Sequence, residues 1–210
     1  MGKRQARIHA FKDQKSLEGW YRKYHDKAGE LWLKIAKKGS GLKSVTHPES
    51  LDVALMWGWI DGLRKSFDDK WFLQRYTPRG KKSIWSQINR EHVGRLTTAG
   101  KMTAFGLAQV EAAKADGRWA KAYASGSKLE TPDDLLAAIA DAPKALETYR
   151  TLNATNRYAL AFRLHNTKTD AGRKKKIEKF VEMLKRGATI HPQNAPKRRR
   201  PSGVPIDTDR

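Results

Sequence analysis

Apolar residues in the first third of the chain follow two different spacings. Residues 31–36 alternate Leu, Leu and Ile with Trp, Lys and Ala, which predicts a strand. Apolar residues at helical spacing from Leu17 to Tyr24 predict a helix over 13–27. A short strand is predicted at 8–11. The N-terminal part is therefore expected to combine a sheet with helices.

A further helix is predicted over 46–58 from its end residues. Thr46 can cap the first turn, and Glu49 lies three residues later, where its side chain can reach back. Gly58 tolerates positive φ, so the helix is expected to end there.

Two more strands are predicted on either side of a turn at Asp68-Asp69. One begins at 59–60, and the other covers 70–76. Asp61-Gly62 is interpreted as a turn or a β-bulge.

From about residue 84 onward the apolar spacing is helical. Helices are predicted at 84–99, 103–117, 132–140, 143–152, 155–166 and 170–186. The fold class is α+β, with a small antiparallel sheet and helices in the N-terminal half and a helical C-terminal half.

The same patterns divide the chain into three regions. We expect an α+β region at 1–122 and a helical region at 123–191. Residues 192–210 contain four prolines and a basic run but no core-forming pattern, which predicts a disordered basic tail.

Charge narrows the possible partners. The chain has 43 Lys and Arg against 22 Asp and Glu, a net charge of +21 that is shared by both halves. Such a field attracts nucleic acids, anionic lipid headgroups and phosphorylated ligands. Lys197, Arg198, Arg199 and Arg200 are a candidate for non-specific contact with nucleic acid.

Several classes of function are excluded or disfavoured. Without cysteine the chain has no disulfide, thiol catalysis or thiolate metal site. No apolar run is long enough for a membrane span, and no signal peptide is recognised, so a cytoplasmic location is expected. The six histidines lack paired ligand spacing, so neither a metal site nor a cofactor is predicted.

Residues 57–89 combine several tryptophans with Asp61 and a run of arginines and lysines. One interpretation is structural: a corner between helix and strand with tryptophans in the core, followed by a solvated basic loop. The other is a pocket in which Asp61 orients an arginine whose fork binds an anion. The candidate ligand-binding residues are Trp57, Trp59, Asp61, Arg64, Arg75, Arg79, Lys82, Ser83, Trp85 and Asn89.

Several motifs resemble the YdeI/OmpD-associated, or bacteriocin-protection, family. They are the segments 31–38, 49–55, Gly58–Gly62, 74–79, 83–89, 117–119 and 156–159, continuing to Met183-Leu184, so that the resemblance covers about residues 8–192. It implies a role in stress or in protection against antimicrobial peptides, and the family label suggests an envelope protein partner. It implies no catalytic residues.

Three functional hypotheses follow. The first is a non-enzymatic protection protein that binds an anionic ligand or surface through residues 57–89, since no complete catalytic constellation is present. The second is a nucleic-acid-binding protein that uses the basic surface and tail. The third is an enzyme that uses Asp61.

Overall fold

The computed structural model of the protein describes residues 8–124 and 129–193. The chain divides into two compact units, residues 1–125 and 126–210. The first contains a four-stranded sheet with four helices, and the second is helical, so the α+β fold class is confirmed. None of the described helices is long and apolar enough to cross a membrane.

The sheet of the first unit contains strands β1 (Ile8–His9), β2 (Leu31–Ala36), β3 (Trp59–Ser66) and β4 (Trp71–Pro78) in the order β1-β2-β4-β3. The pairs β2–β4 and β3–β4 are antiparallel, as expected. Strand β1 instead pairs parallel with β2. The helix between β1 and β2 carries the chain back to the same end of the sheet, which is what a parallel pairing requires.

Strand β3 contains a β-bulge where the sequence predicts a turn or a bulge. Asp61 pairs with Tyr76 and Arg64 with Gln74, so Gly62 and Leu63 together face one residue of β4. A bulge of this kind bends the strand and interrupts the regular ladder.

Four helices belong to the first unit: α1 (Gln14–Tyr24), α2 (His47–Met56), α3 (Gln87–Thr98) and α4 (Ala104–Ala115). Each follows a capping residue whose side chain accepts a backbone N–H of the first turn: Asp13, Thr46, Ser86 and Thr103. Helix α3 starts three residues later than the sequence predicts because Ser86 is its cap.

The main core lies on one face of the sheet. Leu31, Leu33 and Ile35 of β2 are buried, whereas the alternate residues of that strand are partly exposed. Helices α1 and α2 bring residues such as Leu17 and Val53 to the buried face. The sheet therefore has one covered face and one face outside the core.

The second unit consists of α5 (Asp133–Ala140), α6 (Pro143–Thr151), α7 (Ala154–His165) and α8 (Asp170–Lys185). Every boundary lies within one residue of its predicted position. Its core contains Leu135, Ile139, Leu160, Leu164 and Leu184, all fully buried.

Asn156 ties the end of the second unit to α7. It is buried, and its Nδ2 donates to the His191 carbonyl and to Gln193 Oε1, while its Oδ1 accepts from His191 N–H. The tail from residue 194 onward, including Lys197–Arg200, lies outside the described residues.

Candidate functional site

Arg79 directly follows β4 and is the centre of the candidate site. Its backbone N–H donates to the Gly58 carbonyl (3.0 Å), which attaches it to the corner between α2 and β3. Its side chain is buried, with the residue only 6% exposed. Arginine is rarely buried unless its charge is paired, so this position needs an explanation.

The Arg79 guanidinium makes few polar contacts. It lies over the ring of Trp85, 3.5 Å from the centroid, and its Nη1 donates to the Ile84 carbonyl (3.3 Å). Its Nε and Nη2 are buried and find no acceptor within residues 8–124 and 129–193. The Nε1 of Trp85 is likewise a buried donor without an acceptor there.

The two unpaired nitrogens belong to the same edge of the guanidinium. Nε and Nη2 point in parallel, and this edge can hold both oxygens of a carboxylate or two oxygens of a phosphate. Arg173 uses the corresponding edge in the second unit, where Nε and Nη2 donate to Asp134 at 2.6 and 2.8 Å. The Arg79 edge is equivalent but has no carboxylate on it.

Burial lowers the pKa of Arg79 to about 10 because the charged form loses hydration. The charges of Asp61 and Tyr123 oppose this shift, and that of Arg118 adds to it. Arg79 is thus a buried cation that another negative charge would stabilise.

Asp61 lies near this cation without forming an ion pair with it. Its Oδ2 is 3.3 Å from His47 Nε2, and both side chains are partly exposed. Tyr76, which pairs with Asp61 in the sheet, is buried. Its hydroxyl lies 2.6 Å from Ser50 Oγ, and burial raises its pKa. We expected Asp61 to orient an arginine; its hydrogen-bond partner is His47, and it influences Arg79 only through its charge.

Trp57 and Trp59 belong to the core. Trp59 is 1% exposed, and its Nε1 donates to the His25 carbonyl (3.2 Å). Trp57 lies against the rings of His25 and Phe105, at 4.7 and 6.0 Å between centroids. Its Nε1 is another buried donor with no acceptor in the described residues.

Arg64 and Arg75 do not reach Arg79. The Nε of Arg64 donates to Gln74 Oε1 (3.0 Å). Arg75 pairs with Glu30 at 2.7 Å, and it lies on the opposite face of the sheet from Asp61, whose register partner is Tyr76. Both arginines therefore fall outside the Arg79 cluster.

Lys82, Ser83 and Asn89 lie in and after the loop that follows Arg79. The Ser83 hydroxyl accepts from Gly80 N–H (3.2 Å), which closes a tight turn, and Lys82 is exposed. Asn89 is in the first turn of α3, and its backbone N–H donates to Ser86 Oγ (3.1 Å). Of the three, Ser83 shapes the loop that directly follows Arg79.

Sequence reasoning missed three contributors. No pattern in the sequence links His47 to Asp61. The Nη1 of Arg118 donates to the Ser83 carbonyl (2.8 Å). The backbone N–H of Tyr123 donates to the Trp85 carbonyl, and the Tyr123 carbonyl accepts from the Gln87 N–H. Only Arg118 had a signal in the sequence, as part of the 117–119 motif; the others depend on contacts between distant segments.

The geometry supports two kinds of chemistry. The free edge of Arg79 can accept an oxyanion, and the Asp61–His47 pair can hold or transfer a proton. No group of three His, Asp or Glu side chains is placed to hold a metal ion in the described parts of the chain. The hypothesis of an enzyme that uses Asp61 stays a prediction.

Comparison with known proteins gives two family matches. Residues 9–109 match the model of a domain of unknown function, DUF8412, and residues 128–187 match the model described as "Bacteriocin-protection, YdeI or OmpD-Associated". No curated protein and no solved structure matches. The motifs at 31–89 that also suggested this family lie in the region matched by the first model. Residues 128–187 are therefore similar to the domain described as bacteriocin-protection, YdeI or OmpD-associated.

Proposed function

We propose that the protein is a non-enzymatic protection protein that binds a small oxyanion, a phosphate or a carboxylate, at Arg79. The observation that carries the proposal is the buried Nε/Nη2 edge of this arginine, which has no acceptor in the described residues. The family description of residues 128–187 supplies the protective role.

The energetic argument starts from the unpaired donors. A buried donor without an acceptor costs about 1–3 kcal/mol, and more when the group is charged. Two such donors on one charged group are relieved when an anion accepts from them. Low local polarity strengthens the attraction between that anion and the guanidinium.

The surroundings favour an anion over a neutral ligand. Arg118 adds positive charge near Arg79, and burial makes the isolated charge of Arg79 unfavourable. The planar face of the guanidinium is occupied by Trp85, so a ligand is left with the edge. An edge contact selects for two oxygens at fixed separation, as in phosphates and carboxylates.

Titration calorimetry with inorganic phosphate, pyrophosphate and acetate tests the proposal. We expect at least one of these anions to bind the wild type and to raise its thermal midpoint. Arg79→Lys keeps the charge but loses the fork, so binding should weaken by about tenfold or more. Because the edge is shielded from solvent, binding can be slow, and equilibration time should be varied.

Arg75→Gln is the matched control, since Arg75 is already paired with Glu30 on the other face of the sheet. It should bind the same anion as tightly as the wild type. Equal affinity in Arg79→Lys and the wild type would contradict the assignment. So would the absence of binding of all three anions at millimolar concentration, because Arg79 would then serve only to pack on Trp85.

A further inference from the structure

One face of the sheet lies outside the core and is rich in aromatic and basic residues. In β2, Trp32 and Lys34 alternate with buried leucines, and their antiparallel partners in β4 are Arg75 and Leu73. Directly opposite residues point to the same face of a sheet. We call this surface the open face; its residues are Trp32, Lys34, Lys65, Phe67, Trp71, Leu73 and Arg75.

Cations lie over the aromatic rings of the open face. Lys34 Nζ is 4.3 Å from the centroid of Phe67 and 4.8 Å from that of Trp71, and Lys65 Nζ is 5.0 Å from that of Trp32. Phe67 is 47% exposed. None of the aromatic residues of the open face belongs to the main core cluster.

We propose that the open face binds single-stranded nucleic acid. Bases of DNA or RNA stack on tryptophan and phenylalanine rings, while the lysines contact the phosphates between them. Arg75 is already paired with Glu30. The lysine side chains are flexible, so an ammonium group that lies over a ring in the free protein can move to a phosphate. The net charge of +21 draws a polyanion towards the protein.

The dimensions of the open face suit a short strand. Trp71 pairs with Ala36, which is four residues along β2 from Trp32. Four residues of a strand span roughly 13 Å, the length of about four stacked nucleotides. Lys34, Lys65 and Leu73 lie between the two tryptophans, so cations and rings alternate along that path.

A single strand fits these features better than a duplex or a lipid bilayer. The bases of a duplex are stacked on one another and cannot stack on a flat protein surface. A bilayer surface needs apolar side chains that project beyond the cations, whereas here the ammonium groups lie over the rings. A duplex and anionic vesicles are therefore included as competing probes.

Fluorescence anisotropy of a labelled oligothymidine of about eight nucleotides, and of the matching oligouridine, tests the proposal with the full chain. Trp71→Leu and Trp32→Leu should each weaken binding about tenfold or more, because leucine stays apolar but removes the stacking ring. Trp71→Phe and Trp32→Phe should retain most of the affinity.

The salt dependence provides a second measurement. Lys34→Gln and Lys65→Gln should each lower the slope of log affinity against log salt by about 0.7, the value for one phosphate contact with a single strand. The matched control is Lys23→Gln, since Lys23 also lies over an aromatic ring, that of Tyr24 in α1, but outside the open face. Its slope should equal that of the wild type.

Two further results would overturn the proposal. One is unchanged oligonucleotide affinity in both leucine variants, which would assign binding to the overall charge or to the basic tail. The other is tighter binding of a duplex or of anionic vesicles than of the oligonucleotides. Arg79→Lys should leave oligonucleotide binding unchanged, so the two proposed sites can fail separately. Circular dichroism of each variant verifies folding.

Discussion

Gly106, in the first turn of α4, lies against the C-terminal end of α2. A Cβ atom at this position would be 2.8 Å from the Leu55 carbonyl oxygen and closer still to that of Met56. Backbone oxygens of a helix cannot move aside as a flexible side chain can. The approach of α4 to α2, where the Thr103 hydroxyl also donates to the Met56 carbonyl (2.6 Å), therefore requires glycine.

Gly106→Ala should lower the free energy of unfolding of the first unit by about 1–3 kcal/mol, because the added methyl group forces the two helices apart. Gly94→Ala is the matched control at an exposed position of α3, where the new Cβ meets nothing within 4 Å. It should stabilise by about 0.5–1 kcal/mol through helix propensity. Denaturant unfolding followed by tryptophan fluorescence compares the two. A Gly106→Ala variant as stable as the wild type would contradict the close approach.

Single residues of the site were only partly predictable. The clustering of charged and aromatic residues at 57–89 pointed to Arg79 and Trp85, but also to Arg75, which lies on the other face of the sheet. The β3 bulge agrees with the interpretation of Asp61-Gly62, but the pairing of Asp61 with His47 depends on a contact between two different elements. Local spacing contains no information about such contacts.

Among the elements, α5 and α8 are joined by the two hydrogen bonds between Asp134 and Arg173. These bonds hold the pKa of the Asp134 carboxyl below its usual range. A carboxyl whose folded pKa is lowered stabilises the fold above its unfolded pKa of about 3.9. The contribution is lost as the pH falls through the folded pKa.

Asp134→Asn should therefore lower the thermal midpoint of the second unit at neutral pH, and the difference from the wild type should shrink below about pH 4. Because Asp134 is 44% exposed, the effect at neutral pH should stay under about 1 kcal/mol. Asp133→Asn, in the same helical turn, removes the same charge without touching Arg173 and is the control. Circular dichroism at several pH values measures both. A difference that grows with acidity would contradict the assignment.

The helices and strands could be predicted from the sequence more closely than the contacts of single residues. The helix ends of the second unit agree with the predicted ones because capping residues and prolines mark them locally. The start of α3 was missed because Ile84 and Trp85 continue an apolar pattern, although Trp85 forms backbone hydrogen bonds with Tyr123 instead of starting the helix. The parallel pairing of β1 was missed because a strand of two residues has almost no pattern.

At the scale of the whole molecule, each unit has its own buried cluster of apolar residues. All seven tryptophans lie between Trp20 and Trp119, within the first unit. Tryptophan fluorescence therefore reports on the first unit alone, whereas circular dichroism reports on both.

Asn156→Ala should lower the stability of the second unit by about 1–3 kcal/mol, since it removes the hydrogen bonds that this buried side chain makes to His191 and Gln193. The circular dichroism signal should show an additional unfolding transition at a lower denaturant concentration, while the midpoint of the tryptophan fluorescence transition stays unchanged. Gly106→Ala should do the reverse. If both signals shift together in either variant, the two units unfold as one.

The edges of the sheet determine how the molecule behaves when crowded. An open strand edge invites another chain to add its own strand, which is the first step towards fibres. Within the described residues, one edge is β1, with two residues. The other is β3, which is interrupted by its bulge and contains Arg64 and Lys65. Short length, bending and positive charge each discourage such addition. The protein can therefore carry an aromatic surface at high concentration without assembling edge to edge into fibrils.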